Sequence, residues 1–471
     1  MTNYSRAIQS DNSQGGAKQL YVFPYIEISE SNITIADNFL TSFPVSIIYD
    51  LNASDITFEE SVSEFYEQKV SFKLKKLLAA DQLKDLAKKD FRIIIKDNNS
   101  DLRLLGLYTG LEGKFTKSIG ASRSAFNGYN FNFETKEEQT APFISTSTFS
   151  TFFLNYNNLF EFQVTTSNAG TSNNDQFSLP LVSAFTNNIT VYWGDGTNSI
   201  ITSYNQSEVT HTYPTAGTYT IKILGAITAG WYFGNTGDCL KMGDIANFGG
   251  FSAVVNTNFA GCLNMTSIGS DVDFLNQATS LSGYFDMYGA SGGLTILPST
   301  LTLANLQNGT QMFRSNSLTA LPVVMLLHNL ENGSVMFRGN PLTSGLPTGM
   351  ILGNLTNGYY MLDNCQLPSL PSTITFASVT NAIGLLRNNL LTDLASGITF
   401  SNITDGANLL SGNTINTTRY SQLLIDLENL NSNNSFSFHG GNSQYNTSGQ
   451  TARNILTASP RNLTITDGGL A

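Results

Sequence analysis

The sequence predicts a mainly β, multidomain chain, and three observations carry that prediction. Apolar and polar residues alternate over short stretches, as in Val70, Phe72 and Leu74 and again in Tyr129, Phe131 and Phe133; this is the period of a half-buried strand. The stretch ITVYWGDGTNSIITSYNQSEVTHTYPTAGTYTIKILG (189–225) strings short apolar runs between Gly, Asp and Pro turns. Beyond residue 300 the chain repeats itself every 24 or 25 residues, the mark of one small unit stacked many times.

Composition bounds the rest. A chain of 471 residues is too long for one ordinary core, and 41% hydrophobic residues suffice to fill two to four. Charged residues make up only 13% and the net charge is −11, which argues against a nucleic-acid partner, since that requires a clustered basic face. The charge is uneven: 35 of the 59 Asp, Glu, Lys and Arg residues fall in residues 1–150. Cys239, Cys262 and Cys365 form no CxxC pair and no even framework, so neither a zinc ribbon nor a disulfide scaffold is expected. The opening residues MTNYSRAIQSDNSQGG hold no apolar run, and nowhere do 18 apolar residues follow one another. No Sec leader and no membrane span are expected.

Residues 1–145 read as an α+β domain that is mostly β. Residues 1–20 are polar and read as a flexible or docking arm. FRIIIKDNNSDLRLLGLY (91–108) reads as a hairpin turning at Asp97–Asp101. Ala79, Leu83, Leu86 and Ala87 follow Asp81 at helical spacing, predicting one short amphipathic helix. The succession FYEQ (65–68), FRIIIKD (91–97), RLLGLY (103–108) and FNGY (126–129) resembles domains of tail proteins from phages infecting Bacteroidetes-type bacteria. That resemblance implies a virion assembly or anchor domain and brings no catalytic motif.

Residues 146–165, rich in Ser, Thr, Asn and Phe, read as a connector to a β-sandwich over 166–225. Val191 and Trp193 are expected to bury in a strand, and Gly194-Asp195-Gly196 to make a tight turn that needs positive φ. His211 and Tyr213 are expected to start a strand pair closed by Pro214–Gly217, with Tyr219, Ile221 and Ile223 facing inward. WGDGT followed by HTYPTAGTYTI resembles a PKD domain, an Ig-like sandwich used in extracellular adhesion and spacing.

Residues 226–416 hold the repeat. NGTQMFRSNSLTALP (308–322), NGSVMFRGNPLTSGLP (332–347), NGYYMLDNCQLPSLP (357–371), NAIGLLRNNLLTDLA (381–395) and DGANLLSGNTI (405–415) superimpose, with Gly345 as the extra residue. Met312, Met336, Met361, Leu385 and Leu409 form one apolar column; Leu318, Leu342, Leu367, Leu391 and Ile415 form another. Asn316, Asn340, Cys365, Asn389 and Asn413 form a third, where a side chain can satisfy backbone groups of the turn. NFAGCLNMTSI (258–268) matches the same unit with Cys262 at that position. These repeats resemble the BspA-like leucine-rich repeats of bacterial surface proteins, which implies a solenoid with stacked core columns. Residues 417–471 read as its C-terminal cap, with YSQLLIDLENL as a helix and NLTITDGG as a last strand.

Chemistry is sparse. His211, His328 and His439 share no ligand spacing. Gly289-Ala290-Ser291-Gly292-Gly293 fits the G-x-S-x-G pattern of a hydrolase, but it lies in a loop between repeats rather than between a strand and a helix. Asp286, Glu331, Asp363, Asp393 and Asp405 fall in different repeat columns by this alignment, so no paired carboxylates of a glycosidase are indicated. Asp195, or Asp271 with Asp273 on an extended segment, reads as turn chemistry before calcium ligation. Trp193 and Trp231 read as core. Arg314, Arg338 and Arg387 share one column; as exposed cations contributing little to folding they read first as keeping that face solvated or pairing with Asp363, and otherwise as a ligand face for an anionic glycan or a carboxylate-rich partner.

The expected function is that of a non-catalytic structural virion protein, a tail or baseplate component displaying adhesin-type modules for host attachment. Neither cofactor nor metal is expected. Partners are other virion proteins through the N-terminal domain and a host surface glycan or protein through the C-terminal modules, in a homo-oligomer or symmetric multi-copy assembly without nucleic acid. Release by lysis accounts for such modules without Sec export. A capsid decoration protein, a bacterial surface adhesin and a polysaccharide depolymerase are the alternatives.

Overall fold

The computed structural model describes residues 16–51, 53–75, 90–119, 127–289 and 292–471. The molecule is mainly β, with 31% strand against 11% helix, and divides into two units, Met1–Asn158 and Leu159–Ala471.

In the first unit the strands are β1 (Ala17–Pro24), β2 (Thr34–Ala36), β3 (Phe39–Ser42), β4 (Ser46–Asp50), β5 (Ser54–Val62), β6 (Tyr66–Lys75), β7 (Phe91–Asp97), β8 (Leu102–Leu105), β9 (Glu112–Ile119), β10 (Asn127–Glu137), β11 (Phe143–Ile144) and, after helix α1 (Thr146–Phe152), β12 (Phe153–Asn155). They make an eight-stranded sheet ordered β12-β4-β1-β7-β8-β11-β3-β2 and a four-stranded sheet ordered β5-β6-β10-β9. Strands β1 and β7 are buried on both faces along LYVF and FRIII, where buried Arg92 interrupts the apolar run and donates to the Leu107 and Ile26 carbonyls. Leu20, Val22, Ile93 and Ile95 share a core with Phe72, Phe131 and Phe133 of the smaller sheet. Tyr21, Phe23 and Ile94 face Phe43 and Phe153 in a second core.

The alternations at Val70–Leu74 and Phe131–Phe133 are buried as expected. The hairpin turns where the sequence places it, with Asp97 Oδ1 accepting the amides of Asn99 (2.8 Å) and Asp101 (2.9 Å). The expected helix at 79–87 and residues 1–15 of the arm lie outside the described residues; residues 17–20 are already strand β1.

The Phe-rich connector belongs to both units instead of linking them. Ser145 caps α1 by accepting the Thr148 amide at 3.1 Å, and β12 pairs in parallel with β4. Residues Leu159–Thr165 then form β13, a strand inside the second unit, because Phe160, Phe162 and Val164 bury on one side.

The second unit opens with β13, β14 (Gln176–Ser178), β15 (Ile189–Tyr192), β16 (Asn198–Ile201), β17 (Thr210–Thr212), β18 (Thr218–Leu224), β19 (Ile227–Ala229), β20 (Met242–Asn247) and β21 (Phe251–Val255). One sheet runs β16-β15-β18-β13-β20, and β14 pairs with β17 in another. Pro214–Gly217 therefore joins strands of two different sheets and closes no hairpin, correcting the expectation. The sheet also extends past the expected boundary at 225, since β20 pairs with β13.

From there the chain proceeds in turns that meet through single parallel bridges, Ser280↔Asn308, Asn308↔Asn332, Asn332↔Asn357, Asn357↔Asn381 and Asn381↔Asp405. Both apolar columns are at most 1% exposed, and Phe285, Phe313 and Phe337 stack face to face at 5.8 Å per step. One continuous core runs from Phe160 to Leu463. Between these sheets and the turns lies the short helix α2 (Asp273–Gln277), where an extended segment was expected. The end is closed by α3 (Thr417–Leu430), β22 (Ser437–His439), α4 (Thr447–Thr457) and β23 (Thr464–Thr466). The helix α4, capped by Asn446 accepting the Gly449 amide at 3.1 Å, was not anticipated.

Candidate functional site

Each turn of the repeat passes a corner at which one backbone amide reaches the carbonyl one turn on. The distances are 2.9 Å for Met287 N to Arg314 O, 2.8 Å for Ser315 N to Arg338 O, 2.9 Å for Gly339 N to Asp363 O, 2.9 Å for Asn364 N to Arg387 O and 2.7 Å for Asn388 N to Ser411 O. This ladder places Asp286, Arg314, Arg338, Asp363, Arg387 and Ser411 in one column. Ser315, Asn364, Asn388, Gly339 and Gly412 next to it are all left-handed, with φ between 52° and 81°, which Gly and Asn tolerate best. Along this corner runs a groove of about 630 Å³ whose lining includes Tyr288, Arg314, Arg338, Asp363, Asn364, Arg387 and Asn388.

The arginines are not a line of free cations. Arg314 grips Asp286 with both edge nitrogens, Nε to Oδ1 at 2.8 Å and Nη2 to Oδ2 at 2.5 Å, and lies 4.0 Å over the Tyr288 ring. The Asp363 side chain is 1% exposed and sits between two guanidinium groups. Arg387 donates to it from Nε (2.9 Å) and Nη2 (3.2 Å), and that bond raises the Arg387 pKa. Arg338 forms an ion pair with it, Nε lying 3.0 Å from Oδ2. The expectation that all three contribute little to folding therefore fails for Arg314 and Arg387, each of which compensates a buried carboxylate. Asp286 and Asp363 also prove to share a column, contrary to the sequence alignment, because Tyr288–Gly293 inserts extra residues and hides the register. Each carboxylate is held by arginine in a different turn; they do not face each other.

The third column works as a polar seam. Asn340 Nδ2 donates to Phe313 O (2.7 Å) and Phe337 O (2.9 Å), and its Oδ1 accepts the Leu318 amide (3.2 Å). Asn316, Asn389 and Asn413 repeat the pattern. The Cys365 thiol only donates, to Phe337 O at 3.1 Å, and burial pushes its pKa up to about 12. Beyond the last repeat, Ser443 takes the same role by accepting the Ile415 amide at 2.8 Å. A second seam went unseen in the sequence: Asn329, Asn354 and Asn402 each donate a side-chain amide hydrogen to a carbonyl one turn back.

Near the start of the second unit, Trp193 stacks on His211 at 4.6 Å and His211 meets Tyr213 edge-on at 4.5 Å. His211 Nε2 lies 2.8 Å from Asp195 Oδ2. Against burial, which raises it, hydrogen bonds from Thr197 and His211 hold the Asp195 carboxyl below its ordinary value. Gly194 (φ 87°) brings the turn against β18, where an added Cβ would lie 2.5 Å from Thr220 O. The Gly217 amide and the Thr166 hydroxyl bond at 3.0 Å. Nearby, buried Lys241 donates to Ser172, Asn173 and Gln176 carbonyls, while Asp238 accepts the Thr171, Ser172 and Ser178 amides. These groups pin the 166–178 loop.

Both tryptophans are fully buried. Of the G-x-S-x-G stretch, Ala290 and Ser291 lie outside the described residues, and its neighbours are turns and bends with neither strand before nor helix after. Asp271 accepts the Phe248 and Gly249 amides, and Asp273 sits in the first turn of α2. His439 Nδ1 accepts the Gly441 amide at 3.1 Å, and His328 Nε2 lies 3.2 Å from Asn329 Nδ2. Among the described residues no group of three or more His, Cys, Asp or Glu gathers to hold a metal, and no helix is long and apolar enough to cross a membrane. No protein-family model, curated protein or solved structure matches the chain.

Proposed function

We propose that this chain is a non-catalytic structural protein of a phage particle, carried at the tail or baseplate. Its residues 1–158 hold it to neighbouring virion proteins, and its residues 159–471 are displayed for attachment to a host surface. The observation that carries this reading is the coincidence of two breaks. Charge density falls after residue 150, and the chain divides into its two units at 158/159. Charged groups set orientation and partner choice at an assembly contact, whereas a nearly uncharged surface suits a displayed module. The second unit reads as a PKD-like sandwich continuing into a leucine-rich solenoid with a cap. The Gly194–Gly196 turn, the single parallel bridges between turns and the Asn316–Asn413 seam support that assignment. Many copies on one particle multiply a weak single-site affinity through avidity.

The test is incorporation. Gradient-purified particles should contain the chain, and a version ending at Asn158 should still incorporate while the particles adsorb more slowly. Particles free of the chain, with the protein found in the cell envelope, would replace this reading with that of a cell-surface adhesin. Depolymerisation of a host polysaccharide by the purified chain would replace it with the catalytic alternative.

A further inference from the structure

In the groove at Tyr288–Asn388, Arg338 is the guanidinium that meets its carboxylate as an ion pair without a paired hydrogen bond among the described residues. Two carboxylates, Asp286 and Asp363, face three arginines, so the column from residue 286 to residue 387 carries one positive charge in excess. The excess falls on Arg338. Arg314 and Arg387 each spend Nε and Nη2 on a carboxylate, whereas Arg338 meets Asp363 as an ion pair, with Nε 3.0 Å from Oδ2, and remains 40% exposed, more than either neighbour. Its Nη1 and Nη2 have no acceptor among the described residues. A guanidinium presents two edges that a carboxylate can bridge with paired hydrogen bonds; here the edge formed by Nη1 and Nη2 is left open. Beside it stand Asn364 and Asn388, exposed, with side-chain amides that bond to nothing among the described residues. Tyr288 is 63% exposed, and Tyr360 lies 5.4 Å below the Arg338 guanidinium.

We propose that this groove binds a sugar acid within a glycan, its carboxylate bridging Nη1 and Nη2 of Arg338 and its hydroxyls meeting the amides of Asn364 and Asn388. The inference rests on the attachment reading and names the ligand class for the displayed unit. A glycan fits better than an acidic peptide, because one excess charge flanked by neutral amides and tyrosine rings suits sparse charge among many hydroxyls.

The experiment uses the full chain and two probes of one backbone, oligogalacturonate and its methyl ester, in which the charge is removed. The wild-type chain should bind the acid form and bind the ester at least about tenfold more weakly, the value of one charge-assisted hydrogen-bonded pair. Arg338→Gln should abolish the difference between the two probes. Its fold should be retained, since Asp363 keeps both bonds from Arg387, and a melt of the variant checks this. Equal binding of acid and ester, no binding of either at millimolar concentration, or Arg338→Gln that still discriminates overturns the site. Tighter binding of oligoglutamate than of oligogalacturonate, lost in Arg338→Gln, overturns the glycan class in favour of an acidic peptide. Any of these results can coincide with normal incorporation into particles, in which case the site falls and the virion reading stands. Absence from particles sinks the virion reading whatever the probes show.

Discussion

Asp363 and Arg387 occupy the same position in successive turns, joined by bonds of 2.9 and 3.2 Å, with the carboxylate 1% exposed. The pair makes the arginine column asymmetric. Removing Arg387 strips a buried carboxylate of its two-bond partner, whereas removing Arg338 takes away a half-exposed neighbour. Arg387→Gln should destabilise by roughly 1–3 kcal/mol, and Arg338→Gln by less than about 1 kcal/mol. Thermal or urea melts of the two variants decide it, and equal losses would show that Arg338 and Arg387 carry Asp363 equally.

Asn340 is fully buried and makes three hydrogen bonds to backbone groups of two turns. Asn340→Ala leaves the Phe313 carbonyl and the Leu318 amide without their partner, while Phe337 O keeps the Asn340 amide and the Cys365 thiol, at a cost of about 1–3 kcal/mol. Cys365→Asn is a smaller event. The Leu342 amide already reaches the Cys365 and Asn340 carbonyls at 2.9 Å each, so the gain is offset by a bulkier side chain, and the melt should shift by less than about 1 kcal/mol. A neutral Asn340→Ala contradicts the structural role of the column.

What the sequence discloses depends on whether a feature is local or periodic. The repeat columns are legible because each turn reuses the same residue types at the same offset. Asp286 is not, because the insertion at Tyr288–Gly293 replaces the Asn of that turn and breaks the register; the backbone bonds from Phe285 N to Met312 O and from Met287 N to Arg314 O restore it. Strand β13 hides in a Phe-rich stretch interrupted by Glu161, which pairs across the sheet with Lys222 and Asn247. Helix α4 hides in Thr, Ser and Gly, where only Ala452 and Leu456 keep the helical spacing and Gly449 allows close approach to Ser421. The pinning of the 166–178 loop by Asp238 and Lys241 joins residues more than sixty apart, which no local pattern records.

The cap should respond to mild acid. Burial holds the His439 imidazole below its ordinary value of 6.5, against the opposing pull of Asp467, and its unprotonated Nδ1 accepts the Gly441 amide. A group with a depressed folded pKa contributes stability that is complete above its unfolded pKa and is lost as pH falls through the folded value. Stability should therefore decline on going from about pH 7 to pH 5, and His439→Asn, which keeps an acceptor but cannot titrate, should flatten that decline. Asp195 acts in a separate window. Its depressed pKa places the loss from the sandwich below 3.8, and Asp195→Asn should remove that acid step while leaving the His439 step in place. Identical pH profiles for the wild type and His439→Asn would exclude the cap as the source.

The sheets of residues 159–255 and the repeat that follows them should behave as one cooperative body. In the order β16-β15-β18-β13-β20, strand β13 stands between β18 and β20, and both β13 and β20 lie outside residues 166–225. A fragment cut to that span loses Phe160, Phe162 and Val164 from the core and bares the edge of β18, an invitation to aggregation. The complementary fragment 226–471 loses the ring contacts of Phe160 with Trp231 (5.2 Å) and Phe251 (4.6 Å). Residues 159–471 retain all of these and should be soluble, melting in a single transition whose midpoint is the same by far-UV and near-UV circular dichroism. Residues 166–225 and 226–471, expressed separately, should aggregate or melt without cooperativity. A sharp, reversible melt of the 166–225 fragment alone would mean that the sandwich does not depend on β13 and β20, and that the unit beginning at Leu159 is two independent domains.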